Sequence, residues 1–358
     1  MNPLTVDPPI LDLRELLTEA LRRGASDVHL LTNQPPAFRI NGVIELSPRA
    51  PLDESALTRS IDAILTEHQR GDWFTKKQLC FSWSPPGIGY FRVSVYSHMG
   101  RMEAAIRIGQ RAVPTFEELG LPELLADLAT KPYGLILVTG PTGVGKTTTL
   151  NAILGRINGE ARKKIITIED PVEFLLPPGK SLVVQQEVGL DVDTFHSALR
   201  HALRQDPDII CIGELRDLET ISAALTAAET GHLVFGTLHT TGAAGTISRI
   251  VDVFPSGQQP HVRMQLSHVL RATVSQRLLP RADGNGRLLI YEMMIGTDAV
   301  KNIIREGRLH QLANVLQTGS EHGMVRQDEM IRDAWLAGSI TYETAHAAIG
   351  DPAVLRGR

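Results

Sequence analysis

Apolar and polar positions change rhythm partway along the chain. Residues 11–23 set Leu13, Leu16, Leu17 and Ala20 at three- and four-residue spacing, with Leu21 beside them. That spacing predicts an amphipathic helix, which Gly24 stops. Short apolar segments follow near 28–31, 38–46, 79–83 and 90–96, interrupted by a helical stretch at about 53–68. Phe91, Val93 and Val95 alternate with Arg92, Ser94 and Tyr96, as on a half-buried strand. Residues 1–108 therefore read as one mixed α/β domain. Residues 109–122 carry Pro114, Gly120 and Pro122 and read as a linker.

From residue 123 strands alternate with long helices. Strands are expected at 135–139, 165–168, 182–185, 209–212 and 233–237, and helices at 146–157, 194–204 and 217–230. This alternation predicts a largely parallel sheet covered by helices over 123–358, ending in a helical region from about 298.

Composition narrows the class. The 358 residues suit two domains, and 42% hydrophobic with 21% charged residues is the balance of an ordinary globular chain. Net charge is −4. No basic excess advertises a nucleic-acid footprint, so no nucleic acid is expected as a partner and a DNA-translocating motor is disfavoured. Cys80 and Cys211 lie far apart without a CxxC pair, which argues against structural zinc and for a reduced, cytoplasmic setting. Cys211 sits in the apolar run Ile209–Ile212, where a small buried residue is expected. Asp7 and Asp12 interrupt any secretory-type start, and no run reaches the ~18 apolar residues that span a bilayer. Association with a membrane would be peripheral, through a partner.

The strongest chemical signal follows the strand at 135–139. Gly140, Pro141, Thr142, Gly143, Val144, Gly145, Lys146 and Thr147 fit G-x-x-x-x-G-K-[ST]. Such a loop curls so that successive backbone N–H groups face one anion, and glycines keep Cβ atoms out of its way. Lys146 would reach the β- and γ-phosphates, the Thr147 hydroxyl would ligate Mg²⁺, and Thr148 opens the helix aimed at the same phosphates.

ATP and Mg²⁺ chemistry needs carboxylates nearby, and two strand ends offer them. The first carries Glu169, Asp170 and, beyond Pro171, Glu173; the second carries Glu214. In doubly wound sheets ligands lie outside the carboxyl ends of strands, where Glu169, Asp170 and Glu214 fall. Glu214 is assigned to the Mg²⁺ shell and Glu173 to water activation, because Pro171 could turn it into the site. His232 and His239 bracket the next strand, and His239 would share the nucleotide's edge, where it could sense the γ-phosphate or carry that signal across a subunit boundary. Arg200 and Arg204, spaced i, i+4 on a helix, would share a face at a subunit interface.

Taken as a set, 140–147, 167–173, 206–217 and 230–241 resemble the Walker A, aspartate, Walker B and histidine boxes of the secretion-superfamily ATPases of type II secretion and type IV pili. The opening Gly24-Ala-Ser-Asp-Val-His-Leu30 is similar to the N-terminal domain of their pilus retraction branch. The chain is short and has no four-cysteine zinc insert, as in that branch. Ala299, Val300, Lys301, Asn302, Ile303, Ile304, Arg305 and Glu306 resemble its AIRNLIRE segment, with Val300 and Lys301 departing from isoleucine and arginine. That departure leaves an accessory retraction ATPase as an alternative; a type II secretion or pilus assembly ATPase is a further one. The resemblance implies a PAS-like N-terminal domain, a RecA-like P-loop domain and a homohexamer. It also implies an inner-membrane pilus platform protein as partner, and arginines of the N-terminal domain near the phosphates, for which Arg92, Arg101 and Arg107 are candidates.

Overall fold

The computed structural model describes residues 11–109 and 113–355. It divides into two units, Met1–Ala112 with Pro171–Leu175, and Val113–Asp170 with Leu176–Arg358. Residues 110–112, inside the expected linker, and Asp7 lie outside the described residues.

The first unit opens with α1 (Leu13–Arg22), which Asp12 caps by accepting from the Arg14 and Glu15 N–H groups. Leu16, Leu17 and Ala20 are fully buried, as their spacing requires. Six antiparallel strands form the sheet, in the order β3-β2-β1-β6-β5-β4. They are β1 (Ala25–Leu30), β2 (Ala37–Ile40), β3 (Val43–Leu46), β4 (Gln78–Trp83), β5 (Phe91–His98) and β6 (Arg101–Ile108).

Two expectations need correcting here. The segment at 38–46 is a hairpin, because Asn41 and Gly42 both adopt positive φ (49° and 83°), as a tight turn between twisted strands demands. The helix at 53–68 is two helices, α2 (Glu54–Asp62) and α3 (Glu67–Lys76). Thr66 starts the second with a capping box to Gln69, which competes with continuing the first.

The second unit holds a seven-stranded sheet in the order β13-β12-β7-β11-β10-β8-β9. Its strands are β7 (Gly134–Thr139), β8 (Lys164–Glu169), β9 (Leu182–Glu187), β10 (Ile209–Ile212), β11 (Leu233–Leu238), β12 (Leu270–Pro280) and β13 (Arg287–Ile295). All pair in parallel except β12 with β13. Every residue of β7, β10 and β11 is buried, the pattern of strands covered on both faces. Burial pushes the Cys211 thiol well above its ordinary range, with Glu169 adding to the effect.

The helices are α4 (Glu123–Leu128), α5 (Lys146–Glu160), α6 (Phe195–Ala202), α7 (Leu218–Glu229), α8 (Ala243–Asp252), α9 (Gln259–Val269), α10 (Asp298–Glu306), α11 (Leu312–Thr318), α12 (Gln327–Leu336) and α13 (Tyr342–Ala348). Phe116 and Leu121 are buried in the cluster that contains Ile153 and Ile136. Sequence reading assigned no element between 241 and 297, where α8, α9, β12 and β13 lie. In β12, Thr273, Ser275 and Gln276 are buried among apolar neighbours, which breaks the apolar run that would otherwise announce a strand.

Candidate functional site

The loop between β7 and α5 takes its shape from three glycines. Gly140 has φ +139°, and a Cβ there would stand 2.5 Å from the Gln276 carbonyl oxygen and 2.9 Å from the Val144 side chain. Gly143 and Gly145 have φ of +80° and +86°, which favour glycine. Gly145 is also the N-cap of α5 and gives it no side-chain cap, so the helix's first N–H groups face the loop uncapped by a side chain.

Lys146 is 9% exposed and folds back over the loop. Its Nζ donates to the carbonyls of Gly140 at 2.8 Å and Pro141 at 3.1 Å and stands 3.4 Å from His239 Nδ1. Thr147 and Thr148 are half-buried behind it. Thr149 is buried, and its hydroxyl accepts from Gln276 Nε2 at 2.7 Å.

A line of polar groups leads from this loop to the neighbouring strand ends. His239 follows β11 directly; its Nδ1 lies 3.5 Å from the Thr142 hydroxyl and its Nε2 lies 3.0 Å from Glu214 Oε1. Glu214, just past β10, binds Arg216 Nη2 through its other oxygen at 2.7 Å. Burial pushes the Glu214 carboxyl up, but the Arg216 hydrogen bond, His239 and the Arg216 charge outweigh it and hold the carboxyl below its ordinary value. Gly213 lets β10 turn out here, since a Cβ would come 3.1 Å from the Ile168 carbonyl. A cavity of about 260 Å³ opens beside Glu214, Arg216, His239 and Arg249.

The remaining sequence candidates lie elsewhere. Glu169 is 6% exposed, and its carboxylate accepts from the Thr167 hydroxyl at 2.6 Å and Gln185 Nε2 at 3.1 Å, so it ties β8 to β9. Asp170 is exposed, and its charge reaches Arg216. Glu173 is exposed between buried Val172 and Phe174, in the short stretch that groups with the first unit. His232 sits at the opposite end of β11 from His239, with Nδ1 2.9 Å from the Ala227 carbonyl oxygen.

In the first unit, Arg92 and Arg107 are cross-strand partners on β5 and β6. Arg107 pairs with Asp27 at 3.0 Å, Arg101 pairs with Glu54 at 3.2 Å, and Arg92 Nε approaches Cys80 Sγ at 3.1 Å. Arg200 and Arg204 are both exposed. They do not share a helix, a correction to the spacing argument: α6 ends at Ala202 and is capped by Leu203, and Arg204 lies in the turn beyond. On α10, Val300, Ile303 and Ile304 are buried, while Ala299, Arg305 and Glu306 are exposed and Lys301 and Asn302 are half-buried. Asn302 accepts from Arg305 at 2.6 Å and donates to Glu306 at 3.1 Å.

Arg216 and Gln276 were not singled out from the sequence. Arg216 had a signal, two residues after Glu214 in the quoted box; Gln276 had none, since its contact to Thr149 joins residues 127 apart.

The chain is similar to known proteins over most of its length. The chain is 45% identical over 335 residues to the type IV pilus retraction ATPase PilT of Pseudomonas aeruginosa, covering 94% of this chain and 97% of that one. It is 37% identical over 337 residues to the type IV pilus ATPase PilU of the same organism, covering 94% and 88%. A crystal structure of the pilus retraction motor PilT with bound ADP superposes with a TM-score of 0.89 at 43% identity, covering 97% of this chain and 99% of that one. Residues 89–285 match the family described as type II/IV secretion system protein, and with these relatives they make the chain a member of that family.

Proposed function

We propose that this protein is an ATP-hydrolysing motor that drives type IV pilus retraction. The observation that carries the proposal is the polar line Lys146–His239–Glu214–Arg216 laid against a glycine-shaped loop at the head of α5. The similarity of the whole chain to a retraction ATPase supports it, as does the fold shared with a relative solved with ADP.

In this reading the triphosphate sits on the N–H groups of residues 142–147, and Lys146 exchanges its two carbonyl acceptors for the β- and γ-phosphates. The donor set suits Mg²⁺, which prefers oxygen ligands and is commonly bound through substrate phosphates with one or two protein oxygens. Thr147 would supply a hydroxyl to it and Glu214 would hold its water shell; Glu214 is suited to this because its carboxyl stays ionised. Bound there, Mg²⁺ would neutralise charge on the β- and γ-oxygens. Glu173 is the proposed base that takes a proton from the attacking water. His239, between Lys146 and Glu214, would exchange one of these partners for the γ-phosphate and so report its loss. Arg92, Arg101 and Arg107 are the candidates for supplying further positive charge, and a homohexamer acting on a membrane platform protein is the proposed assembly.

The test is a chromosomal deletion scored for surface pili and twitching. Excess pili without motility is expected, restored by the wild-type gene but not by Lys146→Ala, whose phosphate release should fall at least about a hundredfold. Glu173→Gln should bind nucleotide yet turn over slowly. Bald cells would overturn the retraction assignment in favour of assembly, and normal turnover by Lys146→Ala would overturn the site. An accessory retraction ATPase is the second reading, prompted by the 37% identity to the type IV pilus ATPase PilU and favoured if deletion leaves unloaded twitching intact and lowers it only under added load.

A further inference from the structure

A polar row crosses the second sheet beneath the start of α8. Ser275 on β12 stands opposite Thr139 of β7 on one side and Glu292 of β13 on the other. Thr139 and Ser275 are 0% and 2% exposed, in a place where apolar residues would be expected.

Ser275 and Glu292 meet the junction between the segment after β11 and α8, and Thr139 meets α8 itself. Ser275 Oγ accepts from the Gly242 N–H at 2.8 Å, and Glu292 Oε1 accepts from the Ala243 N–H at 2.6 Å. The Thr139 hydroxyl lies 3.4 Å from that of Thr246, which donates to the Gly242 carbonyl at 2.9 Å and stands 2.7 Å from the Thr240 hydroxyl. Gly242, the N-cap of α8, has φ +85° and gives the helix no side-chain cap of its own. Glu292, 49 residues beyond Ala243, serves as the cap that the local sequence lacks. The segment tethered in this way runs only from His239 to Gly242, and its first ring is the one set between Lys146 and Glu214.

We infer that Glu292 is a positioning residue for hydrolysis: by holding the Ala243 N–H it fixes the His239–Gly242 segment, and with it the His239 ring. The inference rests on the reading of His239 given above. A carboxylate is suited to the task because it accepts more strongly than a hydroxyl and projects from a strand paired to the sheet rather than from a loop. Arg326 and Asp328 also line the cavity that Glu292 faces, with opposite effects on its charge.

The experiment is steady-state phosphate release by the full-length protein as Glu292→Ala, Glu292→Gln, His239→Ala and the Glu292→Ala/His239→Ala double variant. Glu292→Ala should lower kcat by about tenfold or more while KM for ATP moves less than about threefold, because misplacing a group that acts during the reaction costs turnover more than binding. Glu292→Gln keeps an acceptor oxygen and should recover to within about threefold of wild type. In the His239→Ala background the Glu292 substitution should cost less than about twofold, since residues that act as a unit are not additive. Should Glu292→Ala fail to fold, Ser275→Ala removes the neighbouring tether and should show the same masking by His239→Ala. Wild-type kcat in Glu292→Ala, no recovery in Glu292→Gln, or undiminished losses in the His239→Ala background would each overturn the positioning role. Wild-type turnover by His239→Ala alone would instead overturn the reading of His239, and the inference with it.

Discussion

Individual carboxylates in this protein differ because their surroundings differ. Glu214 is held ionised by Arg216 and His239 against its burial, which suits a group meant to face a hydrated cation. Glu292 is the opposite case, since burial, helped by the Asp328 charge, pushes its carboxyl up against the Ala243 N–H and Arg326, which bring it down. The folded protein therefore binds a proton at Glu292 more tightly than the unfolded chain does. That residue's contribution to stability falls as pH rises from the ordinary carboxylate range through the raised value. Glu292→Gln removes this dependence, so its thermal midpoint relative to wild type should be higher at pH 8 than at pH 4.5. A difference between the two proteins that stays constant across that range would refute the assignment.

At the scale of elements, the loop from β7 to α5 depends on backbone shape as much as on its lysine. A methyl group at Gly140 would strike the Gln276 carbonyl of the paired strand β12 at 2.5 Å and would also meet an unfavourable φ of +139°. The carbonyl belongs to the backbone of a paired strand and cannot swing away as a flexible side chain would. Gly140→Ala should therefore cost on the order of 2–4 kcal/mol, read as a lowered urea midpoint, and weaken nucleotide binding as the loop shifts. An unchanged midpoint would show that the loop can reshape without cost. Glycine at this position was legible from the motif; its reason, the approach of β12, was not.

At the scale of the molecule, no helix among the described residues is long and apolar enough to cross a membrane. The proposed work is mechanical and calls for several copies. With nucleotide present, light scattering should give the mass of a hexamer of the 39.2 kDa chain. A protein that stays monomeric at micromolar concentration while hydrolysing ATP at full rate would remove the ring from the proposal.

The sequence by itself determined the local and periodic features. The phosphate loop, the buried central strands, the alternation from 123 onward and the carboxyl-edge positions of Glu214 and His239 all follow from short-range spacing. Tertiary structure decided whatever depends on residues far apart in the chain. Helix α8 takes its cap from Glu292, the Lys146–His239–Glu214 line joins three strand ends, and Ser275 and Gln276 of β12 find partners in Gly242 and Thr149. Such contacts leave no periodic trace, because a hydrogen bond between distant residues constrains the identity of each position without constraining those beside it.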